Sequence, residues 1–155
     1  MKYRFIIDLN VAWCAQTLKD DKGRDTTDCL KLLTEIVGRC HSIVVCLRLH
    51  TQYSDLADAL KAAGDAQGPS VFSLFSAAWS IEGKWNHITE PPGLANEEAI
   101  PEDDRPLVRL ALSAGAHLVT CDGRLKTALK QTEVLTKAGL RALGVREALE
   151  LVMAN

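Results

Sequence analysis

Apolar residues fall along this chain in short unbroken runs that alternate with longer stretches where they recur at helical spacing. Residues 3–7 (YRFII) form a β-rich apolar run ending abruptly at Asp8, the pattern of a strand buried on both faces. Residues 9–18 predict a helix with Val11, Ala12 and Leu18 as apolar contacts. After a polar loop, DDKGRD (20–25), Thr26 or Thr27 stands as the N-cap of a helix over 27–39. Leu30, Leu33, Val37 and Cys40 supply its apolar stripe, with Ile36 beside them. SIVVC (42–46) predicts a second buried strand, and the segment after it a helix with Leu49, Tyr53, Leu56 and Leu60 inward and Gly64 as its stop.

The stretch 65–102 is less regular: VFSLFSAAW (71–79) fits either a helix or a strand, and EPPGLANEEAIPEDD reads as a proline-punctuated connection. Beyond it, 104–116 predicts a helix with Pro106 in its first turn, and HLVT (117–120) a third buried strand. A helix follows at 123–131, then a short strand near Leu140–Leu143 and a terminal helix, VREALELVMA. Strands alternating with helices require crossover connections, which predict an α/β fold with a central parallel sheet covered on both faces.

Composition narrows the picture only slightly. At 155 residues the chain suits one domain, and a formal net charge of -2 excludes a strongly basic nucleic-acid-coating protein. No apolar run is long enough to span a bilayer, and MKYRFIIDLN lacks the apolar core of a signal peptide, so a cytoplasmic protein is expected. The five cysteines, Cys14, Cys29, Cys40, Cys46 and Cys121, contain no CxxC pair and fall in apolar segments, which predicts reduced, mostly buried thiols.

Chemistry enters with the acids. Ligands of open parallel sheets bind outside the carboxyl ends of the strands. Asp8 ends the first strand, Asp122 follows the third, and Asp104, with Asp103 beside it, opens the helix that runs back to that strand's carboxyl end. Carboxylates brought together repel, and a bound cation is the simplest compensation; hard oxygen donors suit Mg²⁺ or Mn²⁺. Each acid also has a plainer role open to it: Asp104 as a helix cap, Asp122 in a turn with Gly123. The histidines, His41, His50, His87 and His117, show no ligand spacing, although His50 stands close to Gln52.

IIDLNV (6–11) and DRPLVRLALSAGAHLVTCDGRL (104–125) together resemble the two signatures of the PIN-domain family of metal-dependent ribonucleases. The resemblance covers about 1–60 and 100–150 and implies a three-layer α/β/α domain spanning 1–155, with a family-atypical insertion at about 65–100. It implies Asp8, Asp104 and Asp122 as catalytic metal ligands, with Asn10 and Thr120 orienting them. Where the family usually carries a glutamate, LHTQYSDL (49–56) places Gln52; Asp55, three residues on, is a substitute ligand, as is Asp103, and Glu35 is a poorer one. Arg48, Arg105, Arg124 and Lys126 are candidates to hold phosphates. Trp79 and Trp85 would either stack on bases or, the favoured reading, pack a core or an oligomer interface.

The implied activity is Mg²⁺- or Mn²⁺-dependent hydrolysis of single-stranded RNA, with an antitoxin protein as the partner of a toxin and a homodimer to which 71–79 contributes. The rival is a PIN domain with a degraded site, binding RNA or protein without cutting. An aspartyl-phosphate phosphatase is disfavoured because Asn10 stands where its second aspartate would be.

Overall fold

The computed structural model describes residues 1–65 and 71–154. Five parallel strands form one sheet: β1 (Arg4–Ile7), β2 (Ser42–Val45), β3 (Trp85–His87), β4 (His117–Val119) and β5 (Ala142–Leu143), in the order β3-β2-β1-β4-β5. The described residues also form seven helices: α1 (Leu9–Thr17), α2 (Asp28–Gly38), α3 (Leu47–Ala63), α4 (Val71–Trp79), α5 (Arg105–Ala114), α6 (Gly123–Thr132) and α7 (Val145–Met153). They flank the sheet in a three-layer α/β/α arrangement. α1, α2, α4 and α7 pack on one another, whereas α5 lies along β1, β2 and β4.

The apolar runs become the central strands. Phe5, Ile6, Ile7, Ile43, Val44, Val45, Leu118 and Val119 are all buried, as strands sandwiched between two helical layers must be. β1 is the middle strand, paired with β2 (Phe5 with Ile43) on one side and with β4 (Ile7 with Val119) on the other. Strand order therefore reverses between β1 and β4, and the loops leaving these two strands diverge there to open a crevice at their carboxyl ends.

The structure refines the sequence reading at three points. α2 buries Cys29, Leu32, Leu33 and Ile36, while Leu30 and Val37 are only half-buried and Cys40 is exposed. The inward stripe is thus rotated from the one expected, because α2 is gripped from two sides, by α1 and α7, rather than lying on a flat sheet. Second, the connection from 65 to 102 contains structure. α4 is held by the buried Gln16 side chain, whose Oε1 accepts the Val71 N–H at 2.7 Å, and β3 extends the sheet beyond β2 (Val44 with Asn86). Residues 66–70 of that connection lie outside the described residues. Third, Trp85 packs against Phe75 and Tyr53 with ring centroids 5.1 and 6.4 Å away, whereas Trp79 is 60% exposed.

Helix ends follow local chemistry. Gly64 and Gly115 take left-handed conformations (φ 73° and 61°) and close α3 and α5 with backbone bonds to the last carbonyls. α3 is also tied to the centre of the sheet: the buried Tyr53 hydroxyl donates to the carbonyl of Ile7, the last residue of β1. Tyr53→Phe removes the donor and leaves that carbonyl in an apolar setting, so urea unfolding is expected to show a loss of about 1 kcal/mol or somewhat more.

Candidate functional site

Asp8 follows β1 and stands at the N-cap position of α1, yet its side chain makes no cap hydrogen bond across the first turn. It is 8% exposed, and its Oδ2 accepts instead from Thr120 Oγ1 at 2.7 Å and from Asn10 Nδ2 at 3.2 Å. The pairing of β1 with β4 makes this possible. The Asp8 N–H donates to the Val119 carbonyl at 2.9 Å, which sets Thr120 beside the carboxylate. The Thr120 hydroxyl also accepts the Asp122 N–H at 3.0 Å, and Asn10 Oδ1 accepts the Cys121 N–H at 3.1 Å. Thr120 and Asn10 thus join the two loops that carry Asp8 and Asp122.

Asp122 caps α6: its Oδ1 accepts the N–H groups of Arg124 (2.8 Å) and Leu125 (3.3 Å). This capping role, in place of the turn with Gly123 that the sequence offered, uses one oxygen of the carboxylate. Asp104 stands at the N-cap position of α5, after a 3₁₀ turn over Glu102–Asp104, but its side chain makes no cap hydrogen bond. The capping explanation therefore fails for Asp104.

The three acids lie within electrostatic reach of one another. Burial, then the charges of Asp8, Asp122 and Asp103, push the Asp104 carboxyl up to about 6. The Asp8 carboxyl is also raised, first by burial and then by the charge of Asp122, against hydrogen bonds from Thr120, the Leu9 N–H and Asn10. Asp8 and Asp104 are both destabilised as charged groups, by burial first and by neighbouring carboxylates second, the condition a cation relieves.

Asp8, Gln52, Asp103, Asp104 and Arg48 line one cleft of about 190 Å³, walled by Leu9, Leu49, Leu107 and Leu110. Gln52 therefore shares this cleft with Asp8 and Asp104. Asp55 is exposed one turn further along α3 and is not among the cleft's lining residues, and Glu35 lies in α2, paired with Arg39 at 2.6 Å. Asp122, Asn10 and Arg124 line a second, more open cleft beside it, of about 750 Å³.

The cation candidates diverge. Arg48 borders the acid cleft and pairs with Glu90 at 3.1 Å. Arg105 is turned to the preceding connection, donating to the carbonyls of Ile100 (3.0 Å) and Glu98 (3.4 Å). Lys126 is bound to Glu147. Arg124 borders the open cleft and, among the described residues, has no ion-pair partner. His50 sits among aromatic rings, edge-on to Trp79 (4.9 Å) and Trp85 (5.8 Å), and not in the acid cleft.

Hard carboxylate oxygens fit Mg²⁺ or Mn²⁺ in kind. Among the described residues, the ligand atoms of the three aspartates do not all come within 4.8 Å of one another.

No protein-family model and no curated protein matches the sequence. Among solved structures, the chain is similar to PAE2754 from Pyrobaculum aerophilum, at 14% identity over 99% of this chain and 91% of that one, with a TM-score of 0.52. It is also similar to SSO1118, a PilT N-terminus domain protein from the hyperthermophilic archaeon Sulfolobus solfataricus P2, at 14% identity over 98% and 95%, with a TM-score of 0.47. At this identity the likeness to PAE2754 extends to the fold alone, a central parallel sheet between two helical layers. No described helix is long and apolar enough to cross a membrane.

The crowding of acids has a measurable cost. Asp104 holds its proton more tightly folded (about 6) than at its ordinary value of 3.8. Its contribution is therefore most favourable to folding below about pH 4 and is lost as pH rises through 6. Asp8, also raised, acts in the same sense. Because Asp104 is half-buried and still reached by solvent, screening limits its effect to about 1 kcal/mol. In EDTA, Asp104→Asn is expected to be more stable than wild type at pH 7.5 by about that amount, with the gap closing by pH 4.5 in urea titrations.

Proposed function

We propose that the chain is a metal-dependent nuclease that hydrolyses phosphodiester bonds of single-stranded RNA. The observation that carries this reading is the meeting of Asp8, Asp104 and Asp122, from three separate segments, at the reversal point of the sheet. Two of the three carboxyls are raised, by burial first and by neighbouring acids second, and Asp8 and Asp104 are both withheld from helix capping. A structural role does not require such an arrangement, which costs stability.

Asp8 and Asp104 would hold Mg²⁺ or Mn²⁺ in the cleft, with the free oxygen of Asp122 reaching it directly or through water. When bound, such an ion neutralises a phosphate and makes a water acidic enough to attack it. The chain's own residues set the geometry. Thr120 and Asn10 fix the Asp8 carboxylate by two hydrogen bonds, so that it meets a ligand with no rotamer to freeze. Arg124, at the border of the open cleft, is placed to take a flanking phosphate, and Arg48 would do so on release from Glu90. We further propose that a toxin–antitoxin pairing or a homodimer uses the exposed face around Trp79 on α4.

Gln52 supports a second reading. It stands in the cleft with a carbonyl oxygen but no charge, which leaves the site one carboxylate short of the family pattern. On that reading the domain binds RNA or protein without cutting.

Mn²⁺ calorimetry paired with cleavage of single-stranded RNA separates the two. The nuclease reading expects wild type to bind and cut, and Asp8→Asn or Asp104→Asn to abolish both. Thr120→Val should cost about 10- to 100-fold in metal affinity or rate, because it acts only by holding Asp8. Gln52→Glu should tighten Mn²⁺ by about tenfold or more through the added charge. An inert wild type with a Gln52→Glu variant that cuts would establish the binding-module reading instead.

A further inference from the structure

The sequence spaces Cys14, Cys29 and Cys121 far apart, with no ligand motif among them. The fold brings them together: their sulfurs all lie within 4.8 Å of one another, the one such group of potential ligands among the described residues. Cys14 faces inward one helical turn after Asn10 on α1, Cys29 is the second residue of α2, and Cys121 lies between Thr120 and Asp122 after β4. Cys14 and Cys29 are buried, Cys121 is half-buried, and all three are free thiols. Cys40 and Cys46 stand outside the group.

Apolar packing alone does not gather three thiols from three elements, since a thiol is a weak hydrogen-bond partner and an alanine or valine fills such a space as well. Thiolates bound to one zinc ion at about 2.3 Å lie about 3.8 Å from one another in a tetrahedron, so the observed grouping needs to contract by no more than about 1 Å. The fourth position has a supply: Cys121 also borders the open cleft lined by Asn10, Asp21 and Asp122, where water enters. Charge selects the ion. Three thiolates carry about three negative charges, which a divalent ion reduces to one and a monovalent ion only to two, beside acids that already repel. Soft sulfur donors exclude Mg²⁺ and Mn²⁺ from this position.

We propose that Cys14, Cys29 and Cys121 form a thiolate site for Zn²⁺, separate from the carboxylate cleft, that clasps α1 and α2 to the loop carrying Asp122. Binding releases the thiol protons and adds a link among three segments already joined by packing and by hydrogen bonds such as those of Asn10 with Cys121 and Thr120. The site does not depend on the chain being a nuclease.

The test is to titrate the reduced, metal-free full chain with Co²⁺ as an optical probe of zinc sites. One equivalent should produce thiolate-to-cobalt charge-transfer absorption, which one equivalent of Zn²⁺ displaces. Zinc at a hundredfold excess over its Kd should raise Tm by about 5–10 °C. Cys14→Ala and Cys29→Ala should lose the absorption, whereas Cys40→Ala and Asp8→Asn should keep it. X-ray absorption of the zinc-loaded wild type, which needs no variant to fold, should find three sulfur neighbours. The proposal is overturned if excess Co²⁺ gives no charge-transfer band, if the band survives in the Cys14→Ala/Cys29→Ala double variant, or if zinc shows only oxygen and nitrogen neighbours. A disulfide among these cysteines in the zinc-exposed reduced protein overturns it equally.

Discussion

The pairing of β1 with β4 is the constraint on which the rest of the site depends. One backbone hydrogen bond, from the Asp8 N–H to the Val119 carbonyl, fixes the register in which Thr120 faces Asp8. From that register follow the hydroxyl bond that orients the carboxylate, the second bond from the same hydroxyl to the Asp122 amide, and the approach of Cys121 to Asn10. A slip of one residue would turn Thr120 to the opposite face and leave Asp8 buried without its partner. The apolar character of both strands guards against this, because every side chain from Phe5 to Ile7 is enclosed.

Around this fixed pair, the molecule gathers charge where burial makes charge expensive. Asp8 is almost fully enclosed, and Asp104 approaches from a different layer of the fold. Hydrogen bonds from Thr120, Asn10 and the Leu9 N–H offset part of the penalty for Asp8, while Asp104 has no comparable side-chain partner. The site is therefore uneven. One acid is immobilised and stabilised by its surroundings, one shares an oxygen with a helix terminus, and one is held in the field of the other two.

Much of this was legible in the sequence because the signals were local. Unbroken runs such as SIVV and HLV sit between helical periodicities, and parallel-sheet topology then places the residue after each run at one edge. That reasoning reaches Asp8, Asp122 and the start of α5. It could not say which acids also cap helices, since that is decided by rotamers. β3 escaped because three residues, Trp85, Asn86 and His87, are too few to show alternation and stand at the sheet's edge. The buried stripe of α2 was misjudged because periodicity gives a helix's apolar arc but not the bearing of two neighbours on it. The cysteine group left no trace for a similar reason: Cys14, Cys29 and Cys121 are neighbours only once α1, α2 and the turn after β4 are assembled.

The connection before α5 gives the site a further property. Arg109, on α5, is paired with Glu97, and Arg105 donates to the carbonyls of Ile100 and Glu98, so segment 97–100 and the helix that begins beside Asp104 are laced into a single unit. Asp8 and Asp122 take their positions from the sheet; Asp104 takes its position from this laced unit. The three acids are accordingly held in two different ways. Because α5 is itself packed along β1, β2 and β4, a change at Glu97 would reach Asp104 through the start of the helix and the floor of the site through its body, so the surface of the connection and the floor of the cleft share one rigid link.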